Sequence, residues 1–273
     1  MVKMGNVWDR TVEVMNGRTG MIGGIAALGL FLPGVVRDAY VAAATPGTAA
    51  FALIGSALSL VALLAMVWAQ LAIIAIATHP ATTQSDAARQ ARARLAPAFG
   101  ITLILGVIAC ALILPPIVAL VLSGFDFAAA ARGVPVTPGA FSRGTAVFIA
   151  VYLLALGLVA IWLAARLVLL NAVILNERLG VGAIRRSFAL TRGLTWRIFG
   201  MIILFGIVLL VAVGAAQAVV GVIFRLVLGA DGVGLAAFLA GVAGTVVSTG
   251  FTALATVFTA QLYVATAGAP TSE

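Results

Sequence analysis

The sequence predicts an all-α integral membrane protein, six transmembrane helices arranged as three hairpins with short amphipathic helices on the cytoplasmic face. Three observations predict it. The chain is 63% hydrophobic and only 9% charged over 273 residues, where soluble proteins carry about 25% charged residues. A soluble fold of this size would need far more than the 24 Lys, Arg, Asp and Glu side chains present to cover its surface. The apolar residues gather into long runs separated by short segments that hold most of the arginines. The whole chain, 1–273, reads as a single multi-pass membrane domain.

Taken in order, residues 1–20 pattern as a short amphipathic helix. Asn6 is the expected N-cap, and Trp8, Val12 and Met15 share a face. The first span is 21–44. Its core, 21–36, is short for a crossing, so the Arg37/Asp38 pair is expected at the interface. Twenty residues, among them Asp9 and Glu13, precede it, which does not fit the start of a secretory signal. A turn at Thr45-Pro46-Gly47 leads to the second span, 49–78, which ends at His79-Pro80. The polar segment 81–97 is expected as a loop carrying Arg89, Arg92 and Arg94.

The third span is 99–123, where Pro115-Pro116 predicts a kink or an early exit. A Gly-, Pro- and Ala-rich loop covers 124–144. Spans four to six are 145–175, 198–228 and 233–267. The fourth is ~46 Å of helix against a hydrocarbon core of ~30 Å, so it must tilt or project.

Charge sets the orientation. With six spans, Lys3, Arg10, Arg18, Arg89, Arg92, Arg94, Arg178, Arg185, Arg186, Arg192 and Arg197 fall on one side, and Arg37, Arg132, Arg143 and Arg225 on the other. The bias predicts an inner cell membrane protein with both termini in the cytoplasm. The net charge of +8 therefore reads as a match to anionic lipid headgroups; no soluble domain carries a nucleic-acid surface, and none is expected as a partner.

An internal repeat accompanies this pattern. Arg10-Thr11, Gly17, Thr19, Ile22 and Gly24 align at one offset with Arg186-Ser187, Gly193, Thr195, Ile198 and Gly200. The segment from Arg89 to Arg94 stands in the same place before the third span. The reading is three units, each a surface helix followed by a helical pair; chance similarity in so Ala-, Gly- and Arg-rich a chain is the alternative.

The segment 176–197 is the candidate functional patch. If 181–196 is one helix, Arg178, Arg185 and Arg192 fall seven apart on a face with Arg186 beside them, opposite Val181, Ile184, Phe188, Leu190 and Leu194. Such a helix lies in the plane of a charged membrane surface. Arg178, Arg185, Arg186, Arg192 and Arg197 are the expected headgroup-binding residues, with topology determination as the plainer alternative.

Arg166 lies some ten residues inside the fourth span, or ~15 Å along the axis, where a charge requires a partner, water or a snorkelling route. Gln70, Gln217 and Gln261 are the intramembrane polar residues expected as its first partners, with ordinary interhelical hydrogen bonding as the plainer alternative. The sixth span carries Ala236, Ala240, Gly244, Ser248, Thr252, Thr256 and Ala260 at every fourth position, the pattern of a close helix-packing seam.

No catalytic constellation emerges. The one histidine, His79, sits at a span end. The eight carboxylates, Asp9, Glu13, Asp38, Asp86, Asp126, Glu177, Asp231 and Glu273, are scattered through loops and termini. The single cysteine, Cys110, permits neither a disulfide nor a thiolate metal site within one chain. No phosphate loop or nucleophile elbow is present. The expectation is a protein that is not an enzyme and uses no cofactor or metal.

An arginine in an apolar helix, an acidic residue about ten positions on, then Gly and Ala-x-x-Arg-Ser-x-x-Leu-x-x-Gly-x-x-x-Arg resembles the membrane domain of glycerophosphoryl diester phosphodiesterases. The residues are Arg166, Glu177, Gly180, Ala183, Arg186, Ser187, Leu190, Gly193 and Arg197. In that family the membrane domain accompanies a separate catalytic barrel or stands alone. The resemblance implies a standalone membrane part without the catalytic domain. It departs from the family pattern after the last span, where Tyr263 is followed by VATAGAPTSE. The function expected is a non-catalytic scaffold that organises or senses lipid, or anchors a membrane or cytoplasmic protein partner. The alternative is a small transporter or permease component with Arg166 lining the pathway.

Overall fold

The structure, a computed structural model, describes residues 3–45, 47–131, 142–229 and 232–268. Pro46, Arg132, Asp231 and Glu273, each part of an expectation above, lie outside the described residues. The described residues are mostly helical, with no strand among them. Six stretches are long and apolar enough to cross a membrane: Met4–Ala43, Ala49–Thr78, Gln84–Leu122, Arg143–Asn176, Thr195–Leu228 and Val233–Ala267.

The first stretch is α1 (Met4–Ala26), a π-helical turn (Ala27–Phe31) and α2 (Leu32–Ala43). The expected amphipathic helix is thus the first part of a longer one. Asn6 lies inside it, and Lys3 occupies the N-cap without a side-chain bond. The helix bends at Arg18, where φ is −136° and ψ 21°. Pro33 supplies no N–H to the preceding turn, and the π-helical turn sits directly upstream of it.

Helix α3 (Ala49–Thr78) is capped by Thr48, whose hydroxyl oxygen accepts from the Phe51 amide at 3.0 Å. Helix α4 spans Gln84–Leu122, so most of the segment expected as a loop is helical. Thr83 caps it by accepting from the Asp86 amide at 3.2 Å, and Asp86 in turn pairs with Arg89 at 2.7 Å. The Pro115-Pro116 pair does not bring an early exit, because α4 continues to Leu122.

A short helix, α5 (Phe127–Ala131), precedes α6 (Arg143–Leu167), which is capped by Ser142. The fourth span is interrupted at Val168-Leu169 and resumes as α7 (Leu170–Asn176). The helix expected over 181–196 is shorter: α8 covers Gly182–Leu190. A turn through Gly193, at φ +83°, separates it from α9 (Thr195–Leu228). Helix α10 (Val233–Ala267) has the bounds the sequence predicts and ends at Gly268, φ +81°.

The buried side chains concentrate at one end of the bundle, the end bearing α8 and the starts of α1 and α4. Leu71 to Thr78 of α3 are buried without interruption, as are Val257 and Ala260 to Tyr263 of α10. In α7, Leu170 and Ala172 to Leu175 are buried likewise. Away from this end, large apolar side chains are exposed around the helices, among them Val107, Val151, Leu154, Leu204, Leu210 and Leu226. An exposed aliphatic surface of that extent is what lipid covers.

Each basic segment turns a pair of buried residues four apart toward the core: Val7 and Thr11, Ala87 and Ala91, Ala183 and Ser187. Ile22 and Ile198, matched in the internal repeat, are both buried. In all three cases a cationic outer face is anchored by residues on the inner one.

Candidate functional site

The helix break after Leu167 builds the site. A helix that stops leaves its last carbonyls without amide donors. The carbonyl of Arg166 is taken up by the following basic segment: Ser187 Oγ donates to it at 2.8 Å, and Thr191 Oγ1, whose shorter bond at 2.9 Å goes to the Ser187 carbonyl, lies 3.4 Å away. Ser187 and Thr191 are fully buried, so these bonds pin α8 against the end of α6.

The side chain of Arg166 reaches back across the same junction. It donates to the Phe188 carbonyl at 3.2 Å and to Thr195 Oγ1 at 3.4 Å. Its guanidinium carbon lies 5.6 Å from the centre of the Trp162 ring and 5.1 Å from that of Phe188. Two aromatic faces at this range contribute about 0.5–2 kcal/mol each. The Nε–H is buried and has no hydrogen-bond partner among the described residues. Arg166 therefore meets none of the three glutamines expected as its neighbours; Trp162 stands one helical turn before it, a spacing visible in the sequence.

Glu177 fixes the other side of the segment. Arg186 Nε donates to both of its carboxylate oxygens, at 3.1 and 2.9 Å, and Tyr263 Oη donates to Oε1 at 3.2 Å. One carboxylate thus ties α8 and α10 to the end of α7. Among the described residues this and the Arg89–Asp86 pair are the two salt bridges. Ala183 is fully buried on the inner face of α8, which leaves no room there for a larger side chain.

Arg178, Arg185, Arg192 and Arg197 are exposed and have neither an ion pair nor a hydrogen bond to the described residues. Arg186 is half-exposed while bound to Glu177. Arg178 takes the left-handed conformation, φ +56°, a strained setting for a residue with a Cβ. Val181 and Trp196 stand among these arginines at 68% and 78% exposure. Free guanidinium groups interleaved with exposed aliphatic and indole side chains suit the headgroup layer, which takes both.

Of the other polar residues, Gln261 is buried, Gln70, His79 and Arg18 are partly buried, and Gln217 is exposed midway along α9. Gln261 Nε2 donates to the Ala77 carbonyl at 2.7 Å, and Asn171 Nδ2 donates to Gln70 Oε1 at 2.8 Å. Gln217 packs against Gly244 of the small-residue seam, where an added methyl would lie 2.5 Å from Gln217 Nε2. His79 Nε2 is 3.1 Å from Asn176 Oδ1. Arg18, which no sequence reasoning singled out, donates to the Ile76 carbonyl at 2.6 Å, to that of His79 at 3.1 Å and also to that of Pro80. Ile76 lies in the last turn of α3, at the negative end of its dipole, and His79 and Pro80 follow directly after the helix. A cavity of about 590 Å³ opens beside them, lined by Arg10, Glu13, Arg18, His79 and Gln261. The described residues contain no group of three or more His, Cys, Asp or Glu side chains able to hold a metal ion.

The nine residues that carry the family resemblance thus largely converge on one junction. Arg166 and Ser187 meet directly, Glu177 and Arg186 pair, Ala183 fills the interface, and Gly193 makes the turn. Arg197 stands apart, exposed on the first turn of α9. No family model, curated protein or solved structure matches this chain.

Proposed function

We propose that the chain is a non-catalytic multi-pass protein of the inner membrane, similar to the membrane domain of glycerophosphoryl diester phosphodiesterases. In this reading it organises or senses anionic lipid, or anchors a partner, through its basic end. The six spans form three hairpins, both termini are cytoplasmic, and α8 with the starts of α1 and α4 lies along the headgroups.

One observation carries the reading. Arg178, Arg185, Arg192 and Arg197 are free of partners among the described residues, while the segment that presents them is fixed from within by Ser187, Glu177 and Arg166. A presenting surface that keeps its shape without its ligand loses little entropy on binding. The internal bonding of Arg166 supports this scaffold over the alternative of a pathway lined by Arg166.

The test is lipid retention by the full chain in nanodiscs of mixed phosphatidylglycerol and phosphatidylcholine. Replacing Arg185, Arg192 and Arg197 together by Ala is expected to lower phosphatidylglycerol affinity about a hundredfold, at about 1 kcal/mol per cation. Unchanged retention in a folded triple variant sinks the lipid-binding form.

A further inference from the structure

A second polar site lies toward the other end of the bundle, between α2, α3 and α10. A cavity of about 400 Å³ is lined by Arg37, Asp38, Ser59, Thr245, Ser248 and Thr252, among others. A neighbouring groove of about 570 Å³ shares Arg37, Ser59 and Leu63 with it and continues over Val41, Phe51 and Leu60. One connected slot therefore has a charged and hydroxylated part and an apolar part. Val41 and Leu60 are half-exposed on the lipid-facing surface, so the slot opens sideways to the bilayer.

The charges in it are unspent. Arg37 and Asp38 have no ion pair or hydrogen bond with the described residues, although they are adjacent in sequence and line the same cavity. The hydroxyls are spent in one direction only. Ser59 donates to the Gly55 carbonyl at 2.8 Å, Thr245 to that of Gly241 at 3.0 Å and Ser248 to that of Thr245 at 3.1 Å. With their protons committed to their own helices, these oxygens offer the cavity lone pairs. The slot thus presents one cation, one carboxylate and several acceptors.

The backbone contributes as well. The π-helical turn Ala27–Phe31 borders the cavity through Gly29 and Leu30, ahead of Pro33. Gly29 and Gly34 let the helices close to contact there: a methyl on Gly29 would lie 2.6 Å from Ala69 Cβ, and one on Gly34 3.3 Å from Thr245 Cγ2. π-Turns inside α-helices concentrate at functional sites. Arg37 is six residues before the end of α2 at Ala43, or ~9 Å along the axis, within reach of the headgroup level.

We propose that this slot binds one zwitterionic phospholipid bearing a primary ammonium group, its phosphate on Arg37, its ammonium among Asp38 and the hydroxyl oxygens, and an acyl chain along Val41, Leu60 and Leu63. Charge complementarity selects this occupant. A purely anionic headgroup would bring no cation to Asp38, and a trimethylated ammonium has no N–H to give to it or to the acceptor oxygens. The site uses none of the residues of the basic end, so it stands or falls separately from the lipid reading made there.

The test is native mass spectrometry of the full chain, delipidated in detergent and titrated in turn with phosphatidylethanolamine, phosphatidylcholine and phosphatidylglycerol. Phosphatidylethanolamine is expected to bind at one per chain, about tenfold tighter than the others. Asp38→Asn should abolish that preference, and Arg37→Gln should weaken all three lipids about tenfold. Glycerophosphoethanolamine, the same headgroup without chains, should not displace the lipid at equal concentration. Equal binding of the three lipids, an intact preference in Asp38→Asn, or displacement by the chain-free headgroup would each overturn the proposal. If Arg37→Gln does not purify as a folded monodisperse protein, Arg37→Lys carries that arm. A point charge replaces the two-pronged contact, so a several-fold loss with the preference retained is expected, and no loss counts against the site.

Discussion

The hydroxyl of Ser187 lies 2.8 Å from the carbonyl of Arg166, twenty-one residues earlier, and the Arg166 side chain returns to the carbonyl of Phe188, the residue after Ser187. The two residues clasp the end of one helix to the start of the basic segment. Neither bond belongs to regular secondary structure. The interruption of the fourth span makes the Arg166 carbonyl available, and a serine with no room to move elsewhere takes it.

This clasp predicts that Ser187→Ala lowers stability by about 1–3 kcal/mol, the cost of a buried acceptor left short of a donor. Arg166→Lys should cost more than a conservative exchange, because an ammonium lacks the delocalised guanidinium that reaches both the Trp162 and the Phe188 ring. Thermal unfolding of the full chain in detergent measures both. An unshifted midpoint for Ser187→Ala would remove the clasp as a source of stability.

Glycine positions separate by what surrounds them. A methyl on Gly29 would stand 2.6 Å from Ala69 Cβ and 3.0 Å from the Ala65 carbonyl oxygen, and the latter is backbone and cannot rotate away. Gly29→Ala is expected to destabilise by about 1–3 kcal/mol through overpacking. Gly206→Ala, in α9 with nothing within 4 Å, should be neutral or stabilising by up to about 1 kcal/mol, the helix-propensity difference. Equal melting temperatures for the two variants would contradict the close contact of the π-helical turn with α3.

Arg18 predicts a local effect. Its guanidinium meets carbonyls of Ile76, His79 and Pro80, so Arg18→Ala removes a donor shared by three acceptors at and just after the end of α3. The expected loss is about 1–3 kcal/mol, accompanied by faster amide hydrogen exchange in the first four turns of α1, which the arginine holds in place. Arg18→Lys should restore part of the protection, since its ammonium reaches fewer of the three. Unchanged exchange in Arg18→Ala would show that the buried Val7 and Thr11 suffice to seat the segment.

The spans were legible in the sequence because runs of aliphatic residues of membrane length have no other stable environment; the sixth agrees to the residue. The polar stretches were less so. The segment 81–97 reads as a loop by composition, yet Thr83 with Asp86 three residues on is a capping pattern, and that signal outweighs polarity. Gly193 announces the end of α8, but the heptad spacing of arginines points the other way, and the backbone followed the glycine. The break at Val168-Leu169 has no local cue at all: its compensation, Ser187 and Thr191, lies more than twenty residues downstream. For the same reason the pairing of Glu177 with Tyr263, 86 positions away, could not be read along the chain.

The crowding of buried side chains at a single end has a mechanical consequence. The hub formed by α7 and the final turns of α3 and α10 acts as a clamp, while the far halves of the helices lean on lipid for lateral support. A thinner bilayer, or one with different lateral pressure, is then accommodated by tilting the far halves, and the clamp holds its shape. The arginines keep their mutual spacing as the legs below them spread.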